Sequence, residues 1–150
     1  MVTHYDAESL DAMVAEQRDV LNQLAELRTW WAEAATESEP PFEPLCGHVL
    51  ALRNRMSQHF QQEEAALRVA VDAGAEGVAA GQLHEMIRAH AMLLADLDQM
   101  LQHLRVCRPG MDCWADVSKT FDTMLSTLQA HESQELALLS AAVPAAKSSR

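Results

Sequence analysis

Residues 44–73, PLCGHVLALRNRMSQHFQQEEAALRVAVDA, carry a core-forming residue at every third or fourth position. These positions follow the helical period and define one face of a long helix. They are Leu45, Val49, Leu52, Met56, His59, Glu63, Ala66 and Ala70. Pro44 suits the first turn of such a helix, because an N–H group there would have no helical partner. The stretch predicts a helix whose buried face is apolar except at His59 and Glu63.

Gly and Pro residues cluster on both sides of this helix and once more further along the chain. The clusters fall at residues 37–44, 72–81 and 108–112, and such clusters mark turns and loops. We therefore predict helices over about residues 6–36, 44–73, 81–107 and 112–141. Short connections force neighbouring helices to run in opposite directions. The prediction is all-α: an antiparallel up-down-up-down four-helix bundle forming a single domain over residues 1–150, with a frayed tail from Pro144.

The composition agrees with this fold and argues against several kinds of partner. Only 5 Gly and 5 Pro occur in 150 residues, and 49% of the residues are hydrophobic, as expected for a helical domain. With 11 basic and 22 acidic residues the net charge is -11, which disfavours nucleic acids and anionic membranes. We find no membrane-spanning run and no signal peptide, so we expect a cytoplasmic protein. The sequence leaves its oligomeric state open.

The three cysteines are interpreted as reduced thiols. Their number is odd, and the chain shows no export signal, so a disulfide framework is not expected. Cys107 and Cys113 are close enough to touch across a turn, but we expect free thiols there as well. Cysteine is therefore not where we place the function.

The buried faces of the other three helices are also apolar except at one level. On the third helix the predicted face consists of Leu83, Ile87, His90, Leu94, Leu97, Leu101 and Leu104. On the fourth helix it consists of Trp114, Val117, Phe121, Met124, Leu128, His131, Glu135 and Leu138. The exceptions are Gln17 on the first helix, His90 on the third, and His131 with Glu135 on the fourth. Counted from the connecting loops, these residues lie about as deep in the bundle as His59 does. An error of two residues changes the depth by only about 3 Å. The sequence thus predicts one polar layer across an otherwise apolar core.

A metal ion explains this layer best. Buried carboxylates without a cation would each cost several kcal/mol. A His and a Glu four residues apart lie on one face of a helix and point at one centre. Imidazole and carboxylate without thiolate suit iron, manganese or zinc. The chain has no Glu-x-x-His and no His-Glu-x-x-His, which excludes the ferritin-like and zinc-protease ligand sets. The predicted metal-site residues are Gln17, His59, Glu63, His90, His131 and Glu135.

Two motifs in these helices resemble the hemerythrin-like family, also called HHE cation-binding domains. HFQQEE at residues 59–64 is similar to the family's His-Phe-x-x-Glu-Glu, and HESQE at residues 131–135 is similar to its His-x-x-x-Glu near the C-terminus. The resemblance covers nearly all of the chain. It implies a four-helix bundle around a non-haem di-iron centre.

The resemblance also implies roles for individual residues. Glu63 and Glu135 would bridge the two metals, His59 would bind one metal, and His90 and His131 would bind the other. The two bridging carboxylates would then reach the centre from different helices, Glu63 from the second and Glu135 from the fourth.

Two positions depart from the family pattern. The family has a His where Gln17 stands. Its oxygen carriers also have a second His on the third helix, one turn from the first, whereas here Met86 and Leu94 stand one turn from His90. An amide oxygen is a weak ligand for iron, so Gln17 would bind weakly, hold a water molecule or leave the His59 position partly filled. A di-iron centre, an asymmetric centre and a single metal all remain compatible with the sequence.

The resemblance implies a protein that binds or senses dioxygen or a related small ligand, such as another diatomic molecule or a peroxide, or that holds iron. One alternative is an iron-dependent enzyme acting on peroxide or nitric oxide, and another is a metal-free helical interaction module. A binding or sensing protein is favoured over an enzyme. Glu16 and Glu64 lie just off the core face, and we expect them to be solvated, with a role as a substitute metal ligand as the alternative.

Overall fold

Four long helices make up most of the computed structural model, which describes residues 7–34, 42–72 and 80–148. They are α1 (Ala7–Ala34), α2 (Phe42–Asp72), α3 (Ala80–Val106) and α4 (Trp114–Ser148). The all-α, four-helix prediction is confirmed. The first two predicted breaks fall mainly in residues 35–41 and 73–79, outside the described residues. Within the described part of the chain, no helix is long and apolar enough to cross a lipid bilayer.

Contacts between neighbouring helices pair their residues in opposite order. Gln17 on α1 hydrogen-bonds Glu132 on α4, whereas Trp31, further along α1, packs edge-on against Phe121, earlier on α4. The contacts that join α1 to α2, α2 to α3 and α3 to α4 follow the same opposite order. Each helix therefore runs antiparallel to the next one along the chain.

The ends of α4 differ from the prediction. The helix begins at Trp114, because residues 107–113 form turns in which Gly110 has a φ of 89° and Met111 N–H donates to the Arg108 carbonyl. Glycine adopts this left-handed conformation without steric cost. The expected fraying after Pro144 is wrong, since α4 continues to Ser148. Ala141, Ala142, Ala145 and Ala146, close to this proline, are strong helix formers.

The buried face of α3 is turned slightly from the predicted one. Met86, Leu93 and Met100 are buried, whereas the predicted Ile87, Leu94 and Leu101 are half-buried and pack against the core from its edge. Apolar residues occupy both sets of positions, so the hydrophobic pattern alone does not choose between them. His90 is buried in either case, and the polar layer keeps its place.

Cys107 and Cys113 form a disulfide across the turn between α3 and α4, with their Cα atoms 6.1 Å apart. The expectation of free thiols is therefore wrong for this pair, while Cys46 is free. Pro109 and Gly110 reverse the chain and bring the two cysteines together. Cys107 is 17 residues beyond His90, or about 25 Å along the helix, so this sulfur pair plays no part in the polar layer.

Apolar clusters lie on both sides of the polar layer. The larger one fills the half of the bundle that contains the α3–α4 turn, and includes Leu24, Trp31, Val49, Leu97 and Phe121. The smaller one lies on the other side and contains Leu67, Leu83, Met86 and Leu139. Water is thus kept away from the layer from both directions, which strengthens the interactions between its charged groups.

Candidate metal centre

The structure brings all six sequence-predicted residues together in one layer. Gln17, His59, Glu63, His90 and Glu135 are buried. The sixth residue, His131 on α4, lies at the edge of the layer, and 14% of its side chain is exposed. The layer prediction from helix periodicity therefore holds in three dimensions.

Glu63 faces imidazoles from two helices. Its Oε2 lies 3.3 Å from Nε2 of His59 on the same helix, and its Oε1 lies 3.2 Å from Nε2 of His90 on α3. A carboxylate with one oxygen directed at each of two imidazoles can bridge two metal ions that those imidazoles bind.

Glu135 on α4 also contacts two imidazoles, one on α3 and one on its own helix. Its Oε1 lies 2.6 Å from Nε2 of His90 and also contacts Nε2 of His131. Its Oε2 accepts a hydrogen bond of 3.2 Å from Nε2 of Gln17. Glu135 therefore connects the imidazoles of α3 and α4 to the amide of α1.

Glu132 is a buried member of the layer that the sequence reasoning missed. Its Oε2 lies 3.0 Å from Nε2 of His59, and its side chain is fully buried. The α4 core face runs through this residue rather than through its neighbour His131. The buried residues on this part of the face are Leu125, Leu128, Glu132, Glu135 and Leu139. Their spacings of three and four were available in the sequence and could have identified Glu132.

Glu16 and Glu64 are less solvated than expected, and each contacts a buried imidazole from outside the layer. Glu16 Oε1 lies 3.3 Å from Nδ1 of His59 and accepts a hydrogen bond of 2.6 Å from Arg55. Glu64 Oε2 lies 3.2 Å from Nδ1 of His90. In both imidazoles Nδ1 faces an outer carboxylate and Nε2 faces the centre. Metal-binding histidines are commonly oriented by such a carboxylate.

Phe60 holds two of the imidazoles in place. Its ring stacks on His90 with centroids 3.8 Å apart and planes 6° from parallel, and it meets His131 edge-on at 5.8 Å. The side chain is itself buried. Packing on an aromatic ring therefore restricts the rotation of both imidazoles.

The charges in the layer shift several pKa values. Burial opposes protonation of His59, but the Glu132 and Glu63 carboxylates outweigh it and raise the pKa to about 10. Burial acts in the same way on His90, and Glu135 and Glu63 raise its pKa to about 10. Burial raises the pKa of Glu63. Without a metal, the layer therefore balances its carboxylates with protonated imidazoles.

Metal binding is expected to release protons from His59 and His90. Because their pKa values are about 10, both imidazoles are positively charged at pH 8. Each must lose its extra proton before its nitrogen can bind a metal. We expect about two protons per saturated chain, measured calorimetrically in buffers of different ionisation enthalpy. Protonation stabilises the metal-free fold fully below pH 6.5, and this contribution is lost as the pH rises from 6.5 to about 10.

The proton count has a matched control in His48, an exposed histidine outside the layer. His48→Gln should release as many protons as the wild type, whereas His90→Gln should release about one fewer. A wild-type protein that binds metal without releasing protons would contradict this prediction.

Several buried atoms in the layer have no hydrogen-bond partner among the described residues. They are Oε1 of Gln17, both carboxylate oxygens of Glu63, Nε2 of His131 and Oε1 of Glu132. The Glu63 oxygens and Nε2 of His131 keep the contacts with imidazoles and Glu135 described above, whereas Oε1 of Gln17 and Oε1 of Glu132 have no hydrogen-bond partner in the described part of the chain. Buried polar groups are nearly always paired, and an unpaired one is costly. All of these atoms can be metal ligands, so their donor set fits a bound cation.

The side chains form two groups with ligand spacing. His90, His131 and Glu135 form one group, and His59, Glu63, Glu132 and Glu135 form the other, with the ligand atoms of each group within 4.8 Å of one another. Glu135 belongs to both groups. The arrangement offers two adjacent cation positions connected by a shared carboxylate.

The model of the hemerythrin HHE cation-binding domain matches residues 8–143. The chain belongs to this family. No curated protein and no solved structure matches the chain. The matched range contains every residue of the layer. The family is named for cation binding. The polar layer of this HHE domain supplies a cluster of candidate ligands for a cation.

Proposed function

We propose that this HHE domain binds two iron ions in the polar layer and binds or senses dioxygen or a related small molecule there. The observation that carries the proposal is the pair of buried ligand groups that share Glu135. Two groups with a common carboxylate suit a pair of metals better than a single ion. The mixture of imidazole and carboxylate without thiolate suits iron, and it also admits manganese or zinc.

The contacts support a specific assignment of ligands. His59 would bind one iron, and His90 and His131 would bind the other. Glu63 would bridge them, since one of its oxygens lies near His59 and the other near His90. Glu135 would bridge them as well, since it belongs to both ligand groups. Iron held by these residues would supply reversible one-electron chemistry and a place for a small ligand to bind.

Access for a small ligand is best at the edge of the layer near His131. Its side chain is 14% exposed, while those of Glu63 and His59 are fully buried. Apolar clusters cover the layer from both ends of the bundle. A molecule the size of dioxygen would reach the layer most directly at His131. This favours a small diatomic or peroxide ligand.

The test is to produce the protein in iron-replete cells, count iron per chain, and record visible spectra after anaerobic reduction and after addition of dioxygen. We expect two iron ions per chain and an absorption band that appears with dioxygen and disappears on its removal. Turnover of peroxide or nitric oxide without reversible binding would instead favour an enzyme. Less than half an equivalent of any transition metal, unchanged by reconstitution, would contradict both and leave a metal-free module.

A variant pair sharpens this test. His131→Ala should hold less iron and lose the reversible band, because one position loses an imidazole. Gln134→Ala changes an exposed residue on the same helix and should match the wild type. Equal iron content and equal spectra in the two variants would contradict the assignment of His131.

A further inference from the structure

We infer that Glu132 is a metal ligand and that it makes one half of the centre a position for a hard cation such as manganese(II). The carboxylate-rich half consists of His59, Glu63, Glu132 and Glu135, and the imidazole-rich half consists of His90, His131 and Glu135. The inference rests on the metal-binding function proposed above. It adds to that function a ligand, a positioning residue and a difference in metal preference.

The environment of Glu132 points to a ligand rather than to a structural role. The side chain is fully buried in the middle of the layer. Its Oε2 lies 3.0 Å from Nε2 of His59, and its Oε1 has no hydrogen-bond partner among the described residues. A carboxylate that is buried with an unpaired oxygen is costly unless a cation completes its environment.

Gln17 holds Glu132 in this position. Its Nε2 donates to the carboxylate of Glu132, to the backbone carbonyl of the same residue at 3.1 Å, and to Oε2 of Glu135 at 3.2 Å. One amide on α1 therefore fixes two carboxylates on α4. Gln17 acts as a positioning residue, because it is the carboxylates that face the imidazoles.

The two halves offer different donors. The carboxylate-rich half has one imidazole and three carboxylates. The imidazole-rich half has two imidazoles and, with the bridging Glu63 counted, two carboxylates. Carboxylate oxygens suit manganese(II), and imidazole nitrogens suit zinc and iron. The first equivalent of zinc should therefore enter the imidazole-rich half. Manganese(II) added afterwards should enter the carboxylate-rich half.

The experiment loads the metal-free protein with one equivalent of zinc and then titrates it with manganese(II). Bound manganese is followed by electron paramagnetic resonance, and both metals are counted after desalting. We expect one zinc and one manganese per wild-type chain. This readout is independent of iron loading and of any reaction with dioxygen.

Variants separate the two halves. Glu132→Gln, which keeps the size of the side chain, should retain zinc and bind manganese at least about 10-fold more weakly. Gln17→Ala should weaken manganese binding in the same direction, because Glu132 loses its donor. His131→Ala should show the reverse pattern, with weaker zinc binding and retained manganese. Glu85→Gln, an exposed residue on α3, should behave like the wild type.

Two results would overturn the inference. One is equal manganese affinity in the wild type and Glu132→Gln, and the other is a wild type that takes up zinc but no manganese. Either result leaves the proposed function intact if the wild type still binds two iron ions and responds to dioxygen. Failure of the wild type to bind zinc, manganese and iron alike would contradict the proposed function as well.

Discussion

Replacing Glu135 with alanine is expected to abolish binding at both metal positions. Glu135 is the one residue shared by the two ligand groups of the described structure, so its loss removes a ligand from each. His90 and His131 also lose the carboxylate oxygen that they both contact.

The loss should also appear as a loss of metal-dependent stability. A metal present at about 1,000 times its Kd stabilises the folded state by about 4 kcal/mol. For a chain of this size, that corresponds to a rise in Tm of roughly 8–16 °C. We expect this rise in the wild type on metal addition and its absence in Glu135→Ala. Measuring each variant with and without metal removes any change in the stability of the metal-free fold.

Asp122→Ala provides the control for Glu135→Ala. It removes a carboxylate from an exposed position on the same helix, so it changes the net charge equally without touching the layer. Its metal content and its metal-dependent rise in Tm should equal those of the wild type. Two metal ions bound to Glu135→Ala with unchanged affinity would refute the shared-ligand arrangement.

Replacing Phe60 with alanine should destabilise the bundle and weaken metal binding together. The ring is buried in the core, and truncating a buried phenylalanine typically costs about 3–5 kcal/mol. It also stacks on His90 and meets His131 edge-on, so both imidazoles gain freedom to rotate. Loss of residues that orient ligands weakens metal binding by about 10–100-fold.

Phe121→Ala separates these two effects of the Phe60 substitution. Phe121 is equally buried and packs against Trp31, about 15 Å along α4 from His131. Denaturant unfolding should give a similar loss of stability for both variants. Metal titration should show weaker binding only for Phe60→Ala. Equally weakened binding in the two variants would mean that general loosening of the fold, rather than ring orientation, controls the affinity.

The polar layer shows how far helix periodicity can be extended into three dimensions. Each helical face is interrupted at one level, and antiparallel packing fixes the depth of every residue along the bundle axis. Depth was therefore predictable, and Gln17, His59 and His90 lie at one level, where Glu132 contacts the first two and Glu63 contacts both imidazoles. Rotation about each helix axis was less certain, because one residue changes the direction of a side chain by 100°. That uncertainty is why Glu132 was missed and why the sequence predicted Ile87, rather than Met86, as a buried residue of α3.

The sequence by itself determined four helices, their antiparallel order and the level at which ionisable side chains interrupt the core, because these follow from residue spacing along single helices. Only the tertiary structure decided that Glu132 is buried beside His59, that Gln17 binds carboxylates, and that Glu16 and Glu64 contact imidazoles. These contacts join residues on different helices. They depend on how each helix is turned and how closely it packs on its neighbours, which no pattern within one helix specifies.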